Sequence, residues 1–409
     1  MEQDSSEKVS LGRWFAPSLV TVTFLGTLSG SIFILLNVDI AATFQVPVGV
    51  TSQLSTVSSA AQVVVGLLMG FLIVRFRLKS LIVVALVVEA ISGVGIFLAP
   101  TLSWMQVFFA IGGISSVMAP IAVITLIGDL LSSNKKAKVV SWIFAAAFLA
   151  SLVGAFMVNF FADVGGWRFS FLMLNLPTAV VSLVIVFFSV PSRTHAPQPK
   201  FDKGAYVRSF KQVLLNKSAA ACLIAGVLTV GTTAGIFLNT FWRLQYLLPR
   251  EYTVYMTQGV MVTAIVGSLV GGRLVNKFGR KPLAVAATLV AGVLGIAVWF
   301  APNLWTALAL SFLSVVVSSI GGVAFTCLVL DQVPKSRGTM MSLNHVFGDV
   351  GNTIQPAVGG ALLVLFASDL LFSYQAVGLV FAAMTFATAA IIYFLTKDPP
   401  KAQMQTPPE

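Results

Sequence analysis

Charged residues are scarce in this chain. Asp, Glu, Lys and Arg together make up 10% of the 409 residues, whereas hydrophobic residues make up 57%. A typical soluble domain carries about 25% charged residues. Together with a mean hydropathy of +0.94, this composition excludes a soluble globular protein and predicts that lipid is the solvent for most of the chain.

Residues suited to metal and redox chemistry are also few. The chain has 2 cysteines and 2 histidines, and both cysteines, Cys222 and Cys327, fall inside apolar runs. Two buried thiols are therefore expected rather than a disulfide or a metal pair. The sequence contains no Gly-Lys-Ser/Thr phosphate-binding loop and no dinucleotide-binding glycine motif. We expect no cofactor, no metal site and no enzymatic activity.

Apolar runs of about 20 residues, long enough to cross a hydrocarbon core of roughly 30 Å, recur along the chain. They predict an all-α polytopic membrane protein with twelve transmembrane helices. Predicted spans 1 to 12 cover residues 15–37, 48–74, 80–99, 104–131, 138–162, 168–190, 218–241, 254–275, 281–301, 305–330, 339–366 and 371–396.

The two halves of the chain repeat each other. Gly70 and Gly272, like Asp129 and Asp331, lie 202 positions apart (272 − 70 and 331 − 129). Parallel repeats of six helices, related by an axis along the membrane normal, are typical of transporters. The repeat therefore predicts two pseudo-symmetric six-helix bundles. The predicted boundaries are 1–190 for the N-terminal bundle, 191–217 for a cytoplasmic linker, 218–398 for the C-terminal bundle and 399–409 for a cytoplasmic tail.

Most of the 25 Lys and Arg residues fall in alternate loops and near the termini. By the positive-inside rule, this places both termini in the cytoplasm of a multi-pass plasma membrane protein. The net charge of +11 is then a topology signal with some attraction to anionic lipid, and no nucleic-acid partner is expected. Two readings of the linker stay open: a solvated tether, or a short amphipathic helix around residues 206–215 on the inner leaflet.

Short motifs agree with this architecture. The loop between predicted spans 8 and 9 reads GRLVNKFGRK over 272–281, which resembles the signature loop of the major facilitator superfamily, with Asn276 where that family usually has Asp. The first repeat has a degenerate copy, GFLIVRFRLK, over 70–79. The segment GGWRF over 165–169 is similar to the start of helix 6 in the drug:proton antiporter branch.

The resemblance implies a major facilitator fold that works by alternating access. It also implies a monomer in the bilayer that exports small hydrophobic or amphipathic compounds. Proton coupling stays open, because span 1 offers Ser29 where such exporters often have an acid, and span 4 lacks their Arg. A lipid or glycolipid flippase, and an uncoupled facilitator or importer of a neutral solute, are the alternatives.

Basic groups at the cytoplasmic helix ends are expected to pair with the acids that end spans 4 and 10, forming a gate whose opening exposes the inner side. Interfacial charge that only fixes topology is the alternative. The predicted gate residues are Gly70, Arg75, Asp129, Gly272, Lys277, Gly279, Arg280, Lys281 and Asp331.

Ionisable side chains inside a span cost roughly 2.5–3.5 kcal/mol on insertion, so each is a candidate site. Glu89, Asp349 and Asp39 have no acidic counterpart in the other repeat, so the fold does not require them. His345 precedes Asp349 by one helical turn and shares its face, as a proton relay would need. These four residues are the proton-coupling candidates. A satisfied polar pair and an interfacial Asp39 are the simpler alternatives.

In the family that the motifs indicate, the cavity walls come from helices 1, 4, 7 and 10, and here these carry hydroxyl and amide groups. Such stripes pack helices in membranes more often than they contact ligands. Without a fixed charge at mid-cavity, a neutral or amphipathic substrate is expected. The substrate-cavity candidates are Ser29, Asn37, Ser115, Met118, Thr233, Asn239, Trp242 and Ser314.

Overall fold

The structure is a computed structural model that describes residues 13–46, 48–51, 53–191, 203–229, 232–248, 250–366 and 368–398. Within these ranges the chain is helical and forms no strand. The first half contains α1 (Phe15–Thr27), a 3-10 turn (Leu28–Ser31), α2 (Ile32–Phe44), α3 (Val48–Thr51), α4 (Gln53–Arg75), α5 (Leu78–Leu98), α6 (Leu102–Leu130) and α7 (Ser133–Ser189). The rest comprises α8 (Lys203–Leu215), α9 (Lys217–Leu228), α10 (Thr232–Gln245), α11 (Arg250–Phe278), α12 (Arg280–Trp299), α13 (Leu304–Gln332), a 3-10 turn (Pro334–Ser336), α14 (Arg337–Leu365) and α15 (Leu370–Leu395).

The predicted spans coincide with these helices, and only α8 falls outside them. Among the described residues, nine helices are long and apolar enough to cross a membrane, or ten if α8 and α9 count as one bent span. The count is below twelve because α7 contains two predicted spans and because predicted span 7 is divided between α9 and α10. In addition, α14 carries His345, Asp349 and several amide side chains that lower its hydropathy.

The 57 residues of α7 form a helical hairpin. A straight helix of that length would extend about 85 Å, far beyond the thickness of a bilayer. Gly166 interrupts it at φ 80° and ψ 173°, a backbone conformation that glycine adopts without steric cost. The Ser170 hydroxyl donates to the Val158 carbonyl oxygen at 3.0 Å. Residues 12 positions apart can meet in this way only because the chain turns back at Gly166.

The two halves also repeat in backbone geometry and in contacts. Gln45 (φ 52°) and Leu247 (φ 49°) are the non-glycine residues with left-handed backbone in the described chain, and they lie 202 positions apart. Lys79 and Lys281 are separated by the same interval. Their ammonium groups donate at 2.8 and 2.6 Å to a carbonyl oxygen at the end of the last helix of their own half. These matches confirm the predicted pseudo-symmetry.

Predicted span 1 is not one straight helix, because a 3-10 turn at Leu28–Ser31 separates α1 from α2. Gly154 of α7 permits this break by close backbone approach: a Cβ at that position would lie 2.4 Å from the Leu28 carbonyl oxygen. The second half has a matching feature. Gly351 of α14 packs on Val227, whose carbonyl oxygen would be 2.3 Å from an added Cβ. Each half thus has a break near the middle of its first span.

Buried apolar side chains form three clusters. We call the end of the bundle that carries Arg75, Lys136, Arg280 and Arg337 the basic end, and the opposite end the far end. The largest cluster lies at the basic end and mixes both halves; its members include Met69, Ile127, Val140, Ala219, Leu328 and Met340. At the far end each half keeps its own cluster, around Ile32, Phe109 and Trp167 in the first and Phe241, Trp299 and Tyr374 in the second. The halves therefore share a core at the basic end and separate towards the far end.

Candidate functional site

A buried ion cluster lies at the basic end. Asp331, at the end of α13, is 9% exposed and accepts a hydrogen bond from Lys136 Nζ at 2.9 Å. Its second carboxylate oxygen contacts the guanidinium of Arg280, and Arg337 lies 3.8 Å away. The side chains of Lys136 and Arg280 are each 4% exposed. Two almost fully buried cations thus share this one carboxylate.

Two of these ion pairs cross between the halves. Lys136 belongs to α7 and Asp331 to α13, while Arg337 of α14 reaches back to Asp129 of α6 at 3.4 Å. Of the predicted gate residues, the structure brings Asp129, Asp331 and Arg280 into this cluster. The sequence argument missed Lys136 and Arg337, which counted only as topology charges. Each of them lies in the first turn of the helix that follows one of the two acids: Lys136 follows Asp129, and Arg337 follows Asp331. This position is the signal that could have identified them.

The remaining basic gate candidates make contacts elsewhere. Lys277 lies 5.2 Å over the Phe278 ring, and Lys281 lies 5.8 Å over the Tyr393 ring. Arg75 ends α4. Lys277 and Lys281 therefore contact aromatic rings of their own half, whereas the cluster around Asp331 joins the two halves.

The three glycines among the predicted gate residues lie where a side chain would be strained or would clash. Gly279 adopts φ 91°, which explains the glycine before the Arg-Lys pair of the signature loop. At Gly272, an added Cβ would lie 2.4 Å from the Ser141 hydroxyl and 3.0 Å from the Ala137 carbonyl oxygen. Helix α11 can therefore approach the first turns of α7 closely. Gly70 plays a similar part in α4, where an added Cβ would lie 2.7 Å from the Phe210 ring.

A second candidate site surrounds Glu89 of α5. Ser29, in the 3-10 turn of span 1, donates to one carboxylate oxygen at 3.3 Å, and Ser115 of α6 donates to the other at 2.5 Å. One carboxyl group therefore links three elements of the first half at the point where span 1 is broken. Glu89 was expected as a coupling candidate and the two serines as cavity candidates. The structure brings all three together.

The second half has a cavity at the corresponding place. Ala291, 202 positions after Glu89, lines a space of about 90 Å³. Its walls include the hydroxyl-bearing residues Thr229, Thr288, Ser318, Thr385 and Thr388. The first half thus places a carboxylate where the second half has open space between hydroxyl groups, which marks Glu89 as a feature of one half only.

The polar face of α14 binds its neighbours at both ends. The Ser342 hydroxyl donates to the Gly66 carbonyl of α4, and the Gln355 amide donates to the Val227 and Thr229 carbonyls at 3.0 and 3.2 Å. Gln355 satisfies carbonyl groups freed at the break after α9, a role that the sequence did not predict. His345 and Asp349 lie between these contacts, one turn apart and partly buried. No hydrogen bond joins the two in the described chain.

The other candidates occupy varied environments. Asp39 is exposed on α2, and the Asn37 amide oxygen accepts a hydrogen bond from the Thr51 hydroxyl at 2.6 Å. Met118 and Trp242 are buried in the basic-end cluster and in the far-end cluster of the second half, respectively. The remaining cavity candidates are Ser314, which is half-buried in α13, and Thr233 and Asn239, whose side chains lie outside the described residues.

Comparison with known proteins identifies the family. The model of the Major Facilitator Superfamily matches residues 19–267 and 251–409. Multidrug resistance protein 2 of Bacillus subtilis (strain 168) is 20% identical over 298 residues, which cover 71% of this chain and 74% of that protein. Quinolone resistance protein NorA of Staphylococcus aureus (strain COL) is 22% identical over 313 residues, covering 74% and 78%.

A solved structure supports the same fold. The human organic anion transporter MFSD10 (TETRAN) superposes with a TM-score of 0.75 over 93% of this chain and 99% of that chain, at 14% sequence identity. The chain belongs to the Major Facilitator Superfamily. It is a multi-pass membrane transporter and not an enzyme.

Proposed function

We propose that this protein exports small hydrophobic or amphipathic compounds by alternating access and that the described conformation is open to the outside. One observation carries the proposal: the halves share an apolar core at the basic end and have separate cores at the far end. The positive-inside rule assigns the basic end to the cytoplasm. A cavity between such halves opens away from the cytoplasm.

In this mechanism the ion cluster is the cytoplasmic gate. The Lys136–Asp331 and Arg337–Asp129 pairs join opposite halves and must separate when the cytoplasmic side opens. Separation exposes these charges to water, which compensates for the lost contacts, whereas breaking one pair in the closed state leaves a charge unpaired in a buried site. A cluster of this kind is stable when it is fully paired or fully hydrated, as a two-state gate requires.

We infer that Glu89 is the coupling carboxyl. When it is ionised, it accepts hydrogen bonds from both Ser29 and Ser115, as in the described geometry. When it binds a proton, one carboxyl oxygen becomes a donor, so one of these bonds must be rearranged. Because Ser29 lies in the break of span 1, proton binding would act on the helix that changes orientation between the two states. His345 and Asp349 form the second coupling candidate.

Two features support an apolar substrate. No Lys or Arg falls in the middle of any predicted span, so a carboxylate or phosphate substrate would lack a fixed counter-charge there. The two bacterial relatives are a multidrug resistance protein and a quinolone resistance protein. Export of lipophilic compounds agrees with both features.

The test uses proteoliposomes and a lipophilic fluorescent dye. A pH gradient should drive dye accumulation by the wild type, and Glu89→Gln should reduce this accumulation at least tenfold, because the amide has the shape of the protonated carboxyl, with its NH2 as a donor to one serine, but cannot release a proton. Downhill dye movement should persist in Glu89→Gln. Ser115→Ala is the matched control, since it removes one hydrogen bond and leaves the carboxyl in place.

Full gradient-driven accumulation in Glu89→Gln would rule out this carboxyl as the coupling site, and the same measurement on Asp349→Asn would then test the second candidate. If labelled phospholipid crosses the bilayer while no dye does, the export proposal is wrong and a flippase takes its place.

A further inference from the structure

Helix α8 lies across the seam between the two halves at the basic end. The axes of α8 and α9 differ by 81°. Because α9 belongs to a membrane span, α8 runs close to the membrane plane. Its Ser209 hydroxyl lies 2.7 Å from the hydroxyl of Thr339 in α14, and the Ser336 hydroxyl donates to the Gln212 amide oxygen at 3.0 Å. The linker therefore binds the second half directly.

Phe210 extends the contact to the first half. Its ring packs on Gly70 of α4, where an added Cβ would lie 2.7 Å from the ring and 3.5 Å from Thr339. The ring thus fills the space between α4 and α14, which belong to opposite halves. This packing exists only while the two helices are together, so α8 in this position favours the closed basic end.

The contact also sets the depth of α8 in the membrane. Gly70 precedes the last residue of α4, Arg75, by five positions, which corresponds to about 7.5 Å along the helix axis. Helix α8 therefore lies beside the helix ends rather than beyond them. Helices that lie in the membrane interface bury their apolar face about 5–10 Å into the headgroup region. The offset of the Phe210 contact from the end of α4 is of the same size.

The face of α8 that points away from the protein suits an anionic leaflet. Ser209 and Val213 are buried against the bundle, while Val207, Lys211 and Leu215 follow one another at four-residue intervals on the opposite side. Val207 and Leu215 are 59% and 68% exposed, although both are aliphatic. Residues 203–217 contain four Lys or Arg and no acid. Exposed apolar groups next to cations match acyl chains next to anionic headgroups.

We propose that α8 is an interfacial helix that binds anionic phospholipid through Val207, Lys211, Leu215 and Lys217 and thereby holds Phe210 in the seam. The lipid contact stands independently of the proposed substrate class. The effect on the closed basic end rests on the proposed alternating access. Two measurements therefore test the two parts separately.

The first measurement locates α8 relative to lipid. A fluorophore on Val207→Cys, in full-length protein in nanodiscs, should be quenched by lipids that carry a nitroxide at the headgroup and protected from aqueous iodide. Lys335→Cys, which is exposed beyond the helix ends, is the matched control and should show the opposite pattern. The native Cys222 and Cys327 are buried, so they do not compete for the label. Iodide quenching at position 207 without lipid quenching would overturn the proposal. It would show that this face of α8 lies in water, where only a water-soluble partner could bind it.

The second measurement tests the role of charge. Spin labels on Gln45→Cys and Leu247→Cys report the separation of the halves at the far end. Replacing phosphatidylcholine by phosphatidylglycerol should favour the conformation with a closed basic end. The population ratio of closed to open molecules should rise by about fivefold for each of the two cations, Lys211 and Lys217, that contacts the anionic surface. The Lys211→Gln/Lys217→Gln variant should lose this response, whereas Lys335→Gln should keep it. A response that is equal in both variants would show that α8 is not the lipid-binding element.

Discussion

Asp331→Asn is the sharpest test of the gate. The substitution keeps the size of the side chain and removes the charge that Lys136 and Arg280 share. Both cations stay 4% exposed in the closed arrangement, so each loses its contact with a carboxylate without gaining water. Removing one partner of a buried ion pair costs about 3–5 kcal/mol. In the open arrangement Lys136, which belongs to the opposite half from Asp331, is hydrated, so the cost of its lost contact falls on the closed state alone.

This difference is large enough to invert the conformational equilibrium. A cost of about 3–5 kcal/mol changes the ratio of closed to open basic ends by about 10²- to 5 × 10³-fold. Changing a population from 99:1 to 1:99 requires about 5.5 kcal/mol. A wild type that strongly favours the closed basic end should therefore become a mixture or mostly the opposite state.

Spin labels on Gln45→Cys and Leu247→Cys provide the assay, because these equivalent residues lie in far-end loops of opposite halves. In Asp331→Asn the distance distribution should shift to shorter values as the far end closes. Asp163→Asn is the control, since it removes the same charge from an exposed position at the far end. Identical distributions in wild type and Asp331→Asn, with both proteins folded, would refute the gate.

Three further substitutions test the geometry by thermal unfolding in detergent. Gly272→Ala should destabilise the protein by about 1–3 kcal/mol, because its Cβ would meet the Ser141 hydroxyl and the Ala137 backbone; an unchanged melting temperature would contradict the close approach of α11 to α7. Gly166→Ala should destabilise the protein by more than about 1 kcal/mol through backbone strain alone, since no atom lies within 4 Å of the new Cβ. Its control is Gly348→Ala, because Gly348 is a helical glycine that also has no atom within 4 Å of an added Cβ. Ala291→Leu should raise stability by about 0.5–2 kcal/mol by filling the cavity of the second half; a lower melting temperature would mean that the cavity cannot accept the side chain.

Much of the fold could be predicted from local sequence properties. The spans were predictable because the free energy of transfer into lipid depends on the length and composition of one segment, and each apolar run meets both conditions by itself. The repeat was visible because Asp129 and Asp331 kept their spacing, and the structure adds the equivalent backbone conformations of Gln45 and Leu247. The glycine of the signature loop was likewise visible, and the φ of 91° at Gly279 supplies its physical reason.

The candidate site was only partly predictable, because its contacts join residues that are far apart in the chain. The sequence marked Glu89 as a costly buried acid, but its hydrogen bonds to Ser29 and Ser115 depend on how α5 packs against span 1 and α6. It marked Asp331 as a gate acid, but Lys136 lies 195 positions away and could not be chosen among the many basic residues near helix ends.

The sequence by itself therefore determined the class of protein, the positions of the spans and the residues with unusual chemistry. These depend on composition and on helical periodicity, which act within one segment. Only the tertiary structure decided which end of the bundle is closed, which cations bind Asp331 and where Phe210 of the linker packs. Those outcomes depend on the packing of helices from opposite halves, and the interaction energies between such helices are not encoded in any one segment.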